Sequence, residues 1–373
     1  MFTKRIFIVI VLLLTLSCIG CIRTMEKKPE LSLKTWWELY KQSFVQPDGR
    51  VQRPEHGFDT VSEGQAYAML FSVFMEDRDT FDLIYNWTEK HLSRKNEKGD
   101  HLLAWHWEGS GVSDWMPASD ADCDYAFALL LASQRWNSQQ YREKALQVSS
   151  DILSKETVRG DSNRLFLLPG IWGNEKDGYL IQNPSYYSPA AFRLFYEATK
   201  DNRYLDLIET CYWILDHSCA RMNDVQGCGL IPDWCTVDPH GNIIKAEDRS
   251  GDYGWESVRI PMRMGLDAFW FGTKEGQVVL KNIYQILNTL NAGSGEIKAV
   301  YRYTGEPAVE FSSLPATAMA YFTAQVLGID SDSLNNIFKN KMKDTALVQN
   351  YYGQSLAFFP LAFENKILKI PQY

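Results

Sequence analysis

Three acidic stretches of the sequence have the residue types that proton transfer needs. In the first, Thr60-Val61-Ser62-Glu63-Gly64-Gln65-Ala66-Tyr67, Ser62 reads as a helix N-cap and Glu63 as a first-turn residue at a loop-facing helix end. Taken alone, Glu63 is accounted for by attraction to the helix dipole. As a catalytic acid it meets a conflict, because a helix N-terminus lowers a carboxyl pKa and acid catalysis near neutrality wants it raised. A second carboxylate nearby, or strong desolvation, has to win.

The second stretch, Ala118-Ser119-Asp120-Ala121-Asp122-Cys123-Asp124-Tyr125, places three acids at alternate positions before an apolar run. A calcium loop of the EF-hand type needs Gly at its sixth position and Glu at its twelfth. Here those positions are Tyr125 and Leu131, so the metal reading fails. Asp120 at a helix start, aimed at the same mouth as Glu63, fits better, and at least one of the three Asp residues is expected only to cap the helix. The third stretch runs from Asp252 to Arg263, with Glu256 and Arg259 three apart on one helix face and Trp255 beside them as a sugar-binding floor. Two acids facing one aromatic cleft suit glycoside hydrolysis. One protonates the leaving oxygen, and the other activates water at roughly 6.5–9.5 Å separation for inversion or acts at about 5 Å for retention.

Helical periodicity positions these residues. The clearest segments are Ser62 to Phe74, Asp79 to Leu92, Ala121 to Ser133, Gln139 to Lys155, Pro189 to Lys200, Asn202 to Asp216, Trp255 to Trp270, Val278 to Ala292, Ala316 to Gly328 and Ser355 to Ala362. Most repeat apolar residues at i, i+3, i+4 and i+7, as do Tyr67, Leu70, Phe71 and Phe74. Strand alternation is scarce, and the connecting loops are long and rich in Gly, Pro, Asp and Trp. Ten or more antiparallel helices without a linker point to an all-α chain forming one (α/α)6 barrel, a toroid of six helical hairpins.

The composition agrees with a globular, acidic chain. Of 373 residues 45% are hydrophobic and 23% charged, and the net charge of −8 disfavours a nucleic-acid partner. Aromatic residues reach 13%, with 12 Trp and 19 Tyr, an excess that flat surfaces for a carbohydrate would explain. Lys4 and Arg5 precede an apolar run, Ile6 to Leu16, that is too short to span a membrane and ends in Ser17-Cys18-Ile19-Gly20-Cys21. Residues 1–20 therefore read as a lipoprotein-type signal peptide, 21–32 as a tether, and 33–373 as one catalytic domain. The only membrane association expected is a lipid anchor, for which Cys21 after Gly20 fits better than the alternative Cys18 after Ser17, and the exported chain is expected to act as a monomer. Export permits disulfides, and one bridge among Cys219, Cys228 and Cys235 is expected.

Seven colinear stretches carry a resemblance to glycoside hydrolase family 8. They are Phe44 to Val51, Ser62 to Tyr67, Leu103-Ala104-Trp105-His106-Trp107, Ala118 to Asp122, Asn183-Pro184-Ser185-Tyr186, Gly229-Leu230-Ile231-Pro232-Asp233-Trp234, and Arg259. The resemblance implies an (α/α)6 barrel, an inverting mechanism, and a β-1,4-linked glucan or close relative as substrate. Glu63 takes the place of the family's general acid, and Asp120 that of the Asp that contacts and distorts the sugar. Tyr186 and Arg259 match residues around the same subsite, and Trp105 and Trp234 are candidate stacking platforms. One departure is notable. Where many members place an Asp base three residues before the Arg, this chain has Glu256, one methylene longer. Glu256 is taken as the base, with Glu247 or Asp252 as alternatives from the neighbouring loop.

Two carboxylates need no metal or organic cofactor, and neither a phosphate-cradling loop, an HExxH motif nor a G-x-S-x-G elbow occurs. An endo-acting β-1,4-glucanase leads. Chitosan, xylan and mixed-linkage glucan remain alternatives because each presents a similar backbone. A non-catalytic polysaccharide-binding lipoprotein is a rival that the Glu256 departure would favour. A polysaccharide lyase would need Tyr186 as base and Arg259 as its charge partner, with Glu63 and Asp120 repelling a uronate.

Overall fold

The computed structural model describes residues 32–160, 163–292, 296–344 and 350–370. The expected signal peptide, its Cys18 and Cys21, and all but the last residue of the expected tether lie outside the described residues. Among the described residues no helix is long and apolar enough to cross a membrane.

Twelve helices of ten or more residues build the described chain. They are α1 (Leu33–Phe44), α2 (Ser62–Phe74), α3 (Arg78–His91), α4 (Ser119–Arg135), α5 (Gln139–Lys155), α6 (Pro189–Thr199), α7 (Arg203–Ala220), α8 (Ile260–Phe271), α9 (Lys274–Leu290), α10 (Leu314–Leu327), α11 (Asp332–Lys341) and α12 (Tyr351–Glu364). Their sequences sort them into two kinds. Even-numbered helices such as α4 and α10 are buried along most of their length, whereas odd-numbered ones bury a single stripe, as α1 does with Leu33, Trp36, Trp37, Tyr40 and Phe44. A helix apolar all round must lie inside, and one with a single apolar stripe must cover it from outside. The even helices accordingly form an inner ring in which each touches the next and α12 returns to α2, while each of α3, α5, α7, α9 and α11 backs the inner helix before it. This is the (α/α)6 barrel.

The sixth hairpin joins the two ends of the domain. Helix α1 packs on α12, with Trp36 Nε1 donating to Gln354 Oε1 at 2.8 Å, the Trp36 and Phe358 rings 5.5 Å apart, and the Tyr40 and Ser355 hydroxyls bonded at 3.2 Å. Trp36 is buried, and truncating an aromatic of that size in a core costs roughly 3–5 kcal/mol. The ring therefore closes through residues more than three hundred positions apart.

Short strands decorate the loops: β1 (Thr60–Val61), β2 (His106–Glu108), β3 (Gly111–Asp114), β4 (Thr157–Arg159), β5 (Leu165–Leu167), β6 (Leu180–Gln182), β7 (Arg221–Met222), β8 (Val225–Gln226), β9 (Cys235–Val237) and β10 (Ile243–Ile244). Two pairings matter for the site. Val61 opposite His106 brings Trp105 against the start of α2, where the Ser62 N–H donates to the Trp105 carbonyl at 2.9 Å. Gln182 opposite Cys235 sets the Asn183–Tyr186 turn beside Asp233 and Trp234.

Several local expectations are corrected. Ser62 is the first residue of α2 rather than its cap; Val61 precedes it in extended conformation and offers no capping side chain. None of the three Asp residues caps α4 either. Asp120 Oδ1 accepts from the adjacent Ala121 N–H, Asp122 Oδ1 accepts from the distant Leu103 N–H at 2.8 Å, and Asp124 pairs with Arg263. The helical reading from Trp255 begins late, because Ser257–Arg259 is a 3-10 turn and α8 starts at Ile260. No bridge joins Cys219, Cys228 and Cys235: Cys235 is buried in β9, and Cys219 Sγ donates to the Asp216 carbonyl at 3.2 Å.

Candidate active site

The N-terminal ends of the inner helices share one rim of the barrel. Glu63 is the second residue of α2, Asp120 the second of α4, Tyr351 the first of α12, and Arg259 immediately precedes α8. Their side chains converge on the Arg259 guanidinium, which is only 3% exposed. Nη1 donates to Glu63 Oε2 at 2.6 Å and to Asp120 Oδ2 at 2.8 Å, while Nη2 donates to Ser185 Oγ at 3.1 Å and to Glu256 Oε2. A planar fork of fixed donors is the group suited to holding several carboxylates at set angles. The Tyr186 ring lies under it, 5.1 Å from the guanidinium carbon.

Electrostatics separate the two candidate acids. Burial pushes the Glu63 carboxyl up to about 7, with Arg259 opposing the shift and the charges of Asp120 and Glu256 adding to it. Desolvation thus overcomes both the arginine and the helix end, which resolves the conflict posed by the sequence. The second Glu63 oxygen accepts from the Tyr351 hydroxyl at 3.3 Å. Glu256 is more open, with 30% of its side chain exposed against 17% for Glu63. Its Oε2 is held by Arg259 and by Asn183 Nδ2 at 3.0 Å, whereas its Oε1 has no hydrogen bond to any described residue and is free to accept one from water.

The loop carrying Glu256 is pinned from below. Asp233 Oδ1 accepts from the Gly254 N–H (3.0 Å), the Glu256 N–H (3.1 Å), the Ser257 N–H (2.8 Å) and the Ser257 hydroxyl (2.8 Å). The approach is so close that a Cβ on Gly254 would lie 2.9 Å from the other Asp233 oxygen. Burial still raises Asp233 to about 6, the hydrogen bonds from Ser257 opposing.

The remaining expected residues line the surroundings. The Trp234 ring meets Tyr186 at 5.9 Å and Trp172 at 6.2 Å. Trp105 reaches α2 through its backbone and stacks its ring on His106 at 4.7 Å. His106 is occupied by Asp59 at 2.9 Å and Ser113 at 2.6 Å, a hydrogen-bonding role. Trp255 stands 46% exposed beside Glu256, with its carbonyl accepting from the Tyr352 hydroxyl at 2.6 Å. Neither Glu247 nor Asp252 joins the cluster: Glu247 is exposed, and Asp252 faces Arg302 at 3.5 Å.

Asn183, Ser185, Asp233, Tyr351 and Trp172 had no assigned part in the sequence reading. The first three sit inside motifs already noted, Asn183-Pro184-Ser185-Tyr186 and Pro232-Asp233-Trp234, and a buried Asn or Asp at a turn was the available signal. Tyr351 and Trp172 carry no such mark.

Comparison with known proteins follows the same lines. Residues 10–366 match the profile of Glycosyl hydrolases family 8. Endoglucanase 2 of Ruminiclostridium josui is 29% identical over 365 residues, covering 92% of this chain and 73% of the relative. Among solved structures, the endo-1,4-D-glucanase of Vibrio fischeri ES114 superposes with a TM-score of 0.78 at 21% identity, covering 88% of this chain and 94% of that one. The endo-beta-1,4-glucanase CMCax of Acetobacter xylinum does so with a TM-score of 0.74 at 22% identity, covering 90% and 98%. Both structural likenesses concern the barrel. With the profile match running through Glu63, Asp120 and Arg259 alike, the chain belongs to glycosyl hydrolases family 8 and is a glycoside hydrolase.

Proposed function

We propose that the protein is an endo-acting, inverting β-1,4-glucanase. The observation that carries this reading is one buried arginine gathering two carboxylates of unlike character: Glu63, raised to about 7, and Glu256, half-open with one free oxygen. Protonated Glu63 gives its proton to the glycosidic oxygen as the C1–O bond breaks. A water accepted by Glu256 Oε1 attacks C1 from the opposite face and yields its proton to that carboxylate, leaving a product of inverted configuration. Asp120, bonded to the same Arg259 nitrogen as Glu63, contacts the sugar at the cleavage site and keeps the Glu63 pKa high. Tyr186 and Arg259 form the floor there, and Trp105, Trp234 and Trp255 stack neighbouring sugars.

The endoglucanase names of the relatives support a β-1,4-glucan over the other backbones. Tyr186 is a poor base for a lyase, since burial, with the Asp120 and Glu256 charges, holds its phenol well above the usual range. The leader-like start of the sequence supports action outside the cytoplasm by a protein anchored through a lipid on Cys21. Membrane fractionation of Cys21→Ser checks the anchor; unchanged membrane association would reject it.

Reducing-sugar release on carboxymethylcellulose, mixed-linkage glucan, xylan and chitosan, with Glu63→Gln as control, tests the reading. Hydrolysis of carboxymethylcellulose that is lost in the control is expected. Preference for xylan or chitosan would replace the glucan assignment, and activity surviving in Glu63→Gln would remove Glu63 as the acid.

A further inference from the structure

One cation at the rim has no ion-pair partner among the described residues. The Arg249 guanidinium lies 4.6 Å from the Trp172 ring and 4.5 Å from the Trp234 ring, in the V that these two indoles form at 40° to one another. No carboxylate of a described residue lies within ion-pair distance of it; its neighbours Glu247 and Asp248 are exposed. The aromatic faces hold it instead, an arrangement that suits arginine because its charge is delocalised, planar and weakly hydrated.

This cradle continues from the catalytic centre. From Arg259 the run of side chains passes to Tyr186 (5.1 Å), then Trp234 (5.9 Å), then Trp172 (6.2 Å), with Arg249 seated between the last two rings. Both supports are anchored on the rim. The Trp234 N–H donates to the Ser250 carbonyl at 3.0 Å, tying the Arg249 segment to the Asp233 loop. The Trp172 loop is tied to the start of α4 through the Ser119 hydroxyl, which donates to the Leu168 carbonyl at 2.6 Å. Gly170 passes so near Pro117 that a Cβ there would lie 2.5 Å from its carbonyl oxygen. The charge therefore sits at a fixed place beside the aromatic run that leads from the catalytic centre.

We propose that Arg249, cradled by Trp172 and Trp234, is a specificity-determining residue that turns glucosamine backbones away from this arm of the cleft while accepting neutral β-glucan. The inference rests on the glucanase reading and narrows it. Sugar hydroxyls accept hydrogen bonds from the guanidinium, whose five N–H groups have no protein acceptor among the described residues. In mildly acidic solution, where its amine is protonated, a glucosamine unit brings an ammonium, which offers only donors and meets a like charge.

The test is calorimetric binding, at a mildly acidic pH that protonates the glucosamine amines, of cellohexaose and of the glucosamine hexamer to the Glu63→Gln protein, in which turnover is blocked, with Arg249 retained or replaced by Lys, Gln or Glu. With Arg249 the glucosamine hexamer is expected to bind at least about tenfold more weakly than cellohexaose, a gap of about 1.4 kcal/mol. Arg249→Lys should keep most of that gap, Arg249→Gln should shrink it, and Arg249→Glu should close or reverse it. Because the charges are partly exposed, high salt should diminish all these differences. A ratio of affinities unchanged by Arg249→Glu at low salt, with cellohexaose still bound, would overturn the proposal. Failure of cellohexaose to bind at all would instead overturn the glucanase reading on which it rests.

Discussion

Two arginine–carboxylate layers lie one helical turn apart between the same pair of inner helices, and they differ in how their charges are satisfied. In the lower layer Arg263 has Asp124 as its one carboxylate, in a two-point pair whose side chains are 2% and 1% exposed, and its Nε donates to the Ser185 carbonyl at 3.3 Å. In the upper layer Arg259 is shared among Asp120, Glu63 and Glu256, two of which reach solvent. Asp120 and Asp124 are four apart on α4, and Arg259 and Arg263 are four apart at the start of α8, so one spacing produces both layers. A closed pair with matched geometry fixes the two helices. Burial of Glu63, with the charges of Asp120 and Glu256 beside it, outweighs its share of the one cation and pushes its carboxyl up to about 7. The lower layer holds structure, and the upper one is free to do chemistry.

That contrast is broken most sharply by Glu63→Gln. Turnover should fall by a factor on the order of 10³ or more, since the leaving oxygen loses its proton donor. Stability should move the other way. A folded-state pKa of about 7 against 4.5 for an ordinary Glu means that the native state loses stability as pH rises from about 4.5 to 7. The Gln variant escapes this loss, so thermal melts should favour it by roughly 1–3 kcal/mol at pH 8 and hardly at all at pH 4.5. Equal melting temperatures at both pH values would remove the claim that Glu63 is a strained acid.

Asp124→Asn should show the reverse. Stranding the Arg263 charge in the interior should cost roughly 3 kcal/mol, while the fraction that stays folded keeps its turnover per active site. Denaturant melts and active-site titration separate the two, and a loss of turnover without loss of stability would erase the distinction between the layers. In the upper layer Glu256→Ala should lower turnover about 10²–10⁴-fold, and azide should restore part of it by attacking C1 in place of water. Azide without effect would move the base elsewhere. The smallest change is expected from Asp120→Asn: removing a charge that raises Glu63, while Arg259 stays, should move the alkaline limb of kcat/KM below pH 7.

Much of this was legible in the chain because apolar residues recur at i, i+3, i+4 and i+7, as Tyr67, Leu70, Phe71 and Phe74 do, and long helices without a linker must pack on one another. Glu63 and Asp120 were legible as acids at helix starts, and Arg259 through its spacing from Glu256 and the family resemblance. The pair of helices that closes the ring was not, since α1 and α12 meet only after every other hairpin is placed. Nor was the use of Asp122 and Asp124: an Asp at a helix start reads as a cap, and only the fold reveals Leu103 and Arg263 waiting for them. Asn183 and Asp233 were hidden for a similar reason, because each acts on Glu256 across a loop-to-loop contact that the β6–β9 register creates.

If Glu63 and Glu256 act as acid and base from opposite faces of the scissile bond, the stereochemistry of the first product must show it. Proton NMR of the products released from cellohexaose reads that stereochemistry before mutarotation blurs it. The new reducing end should appear first as the α-anomer and only later mutarotate, and Glu63→Gln should abolish the signal. Appearance of the β-anomer first would mean retention, which is incompatible with Glu63 as acid and Glu256 as the base that activates water.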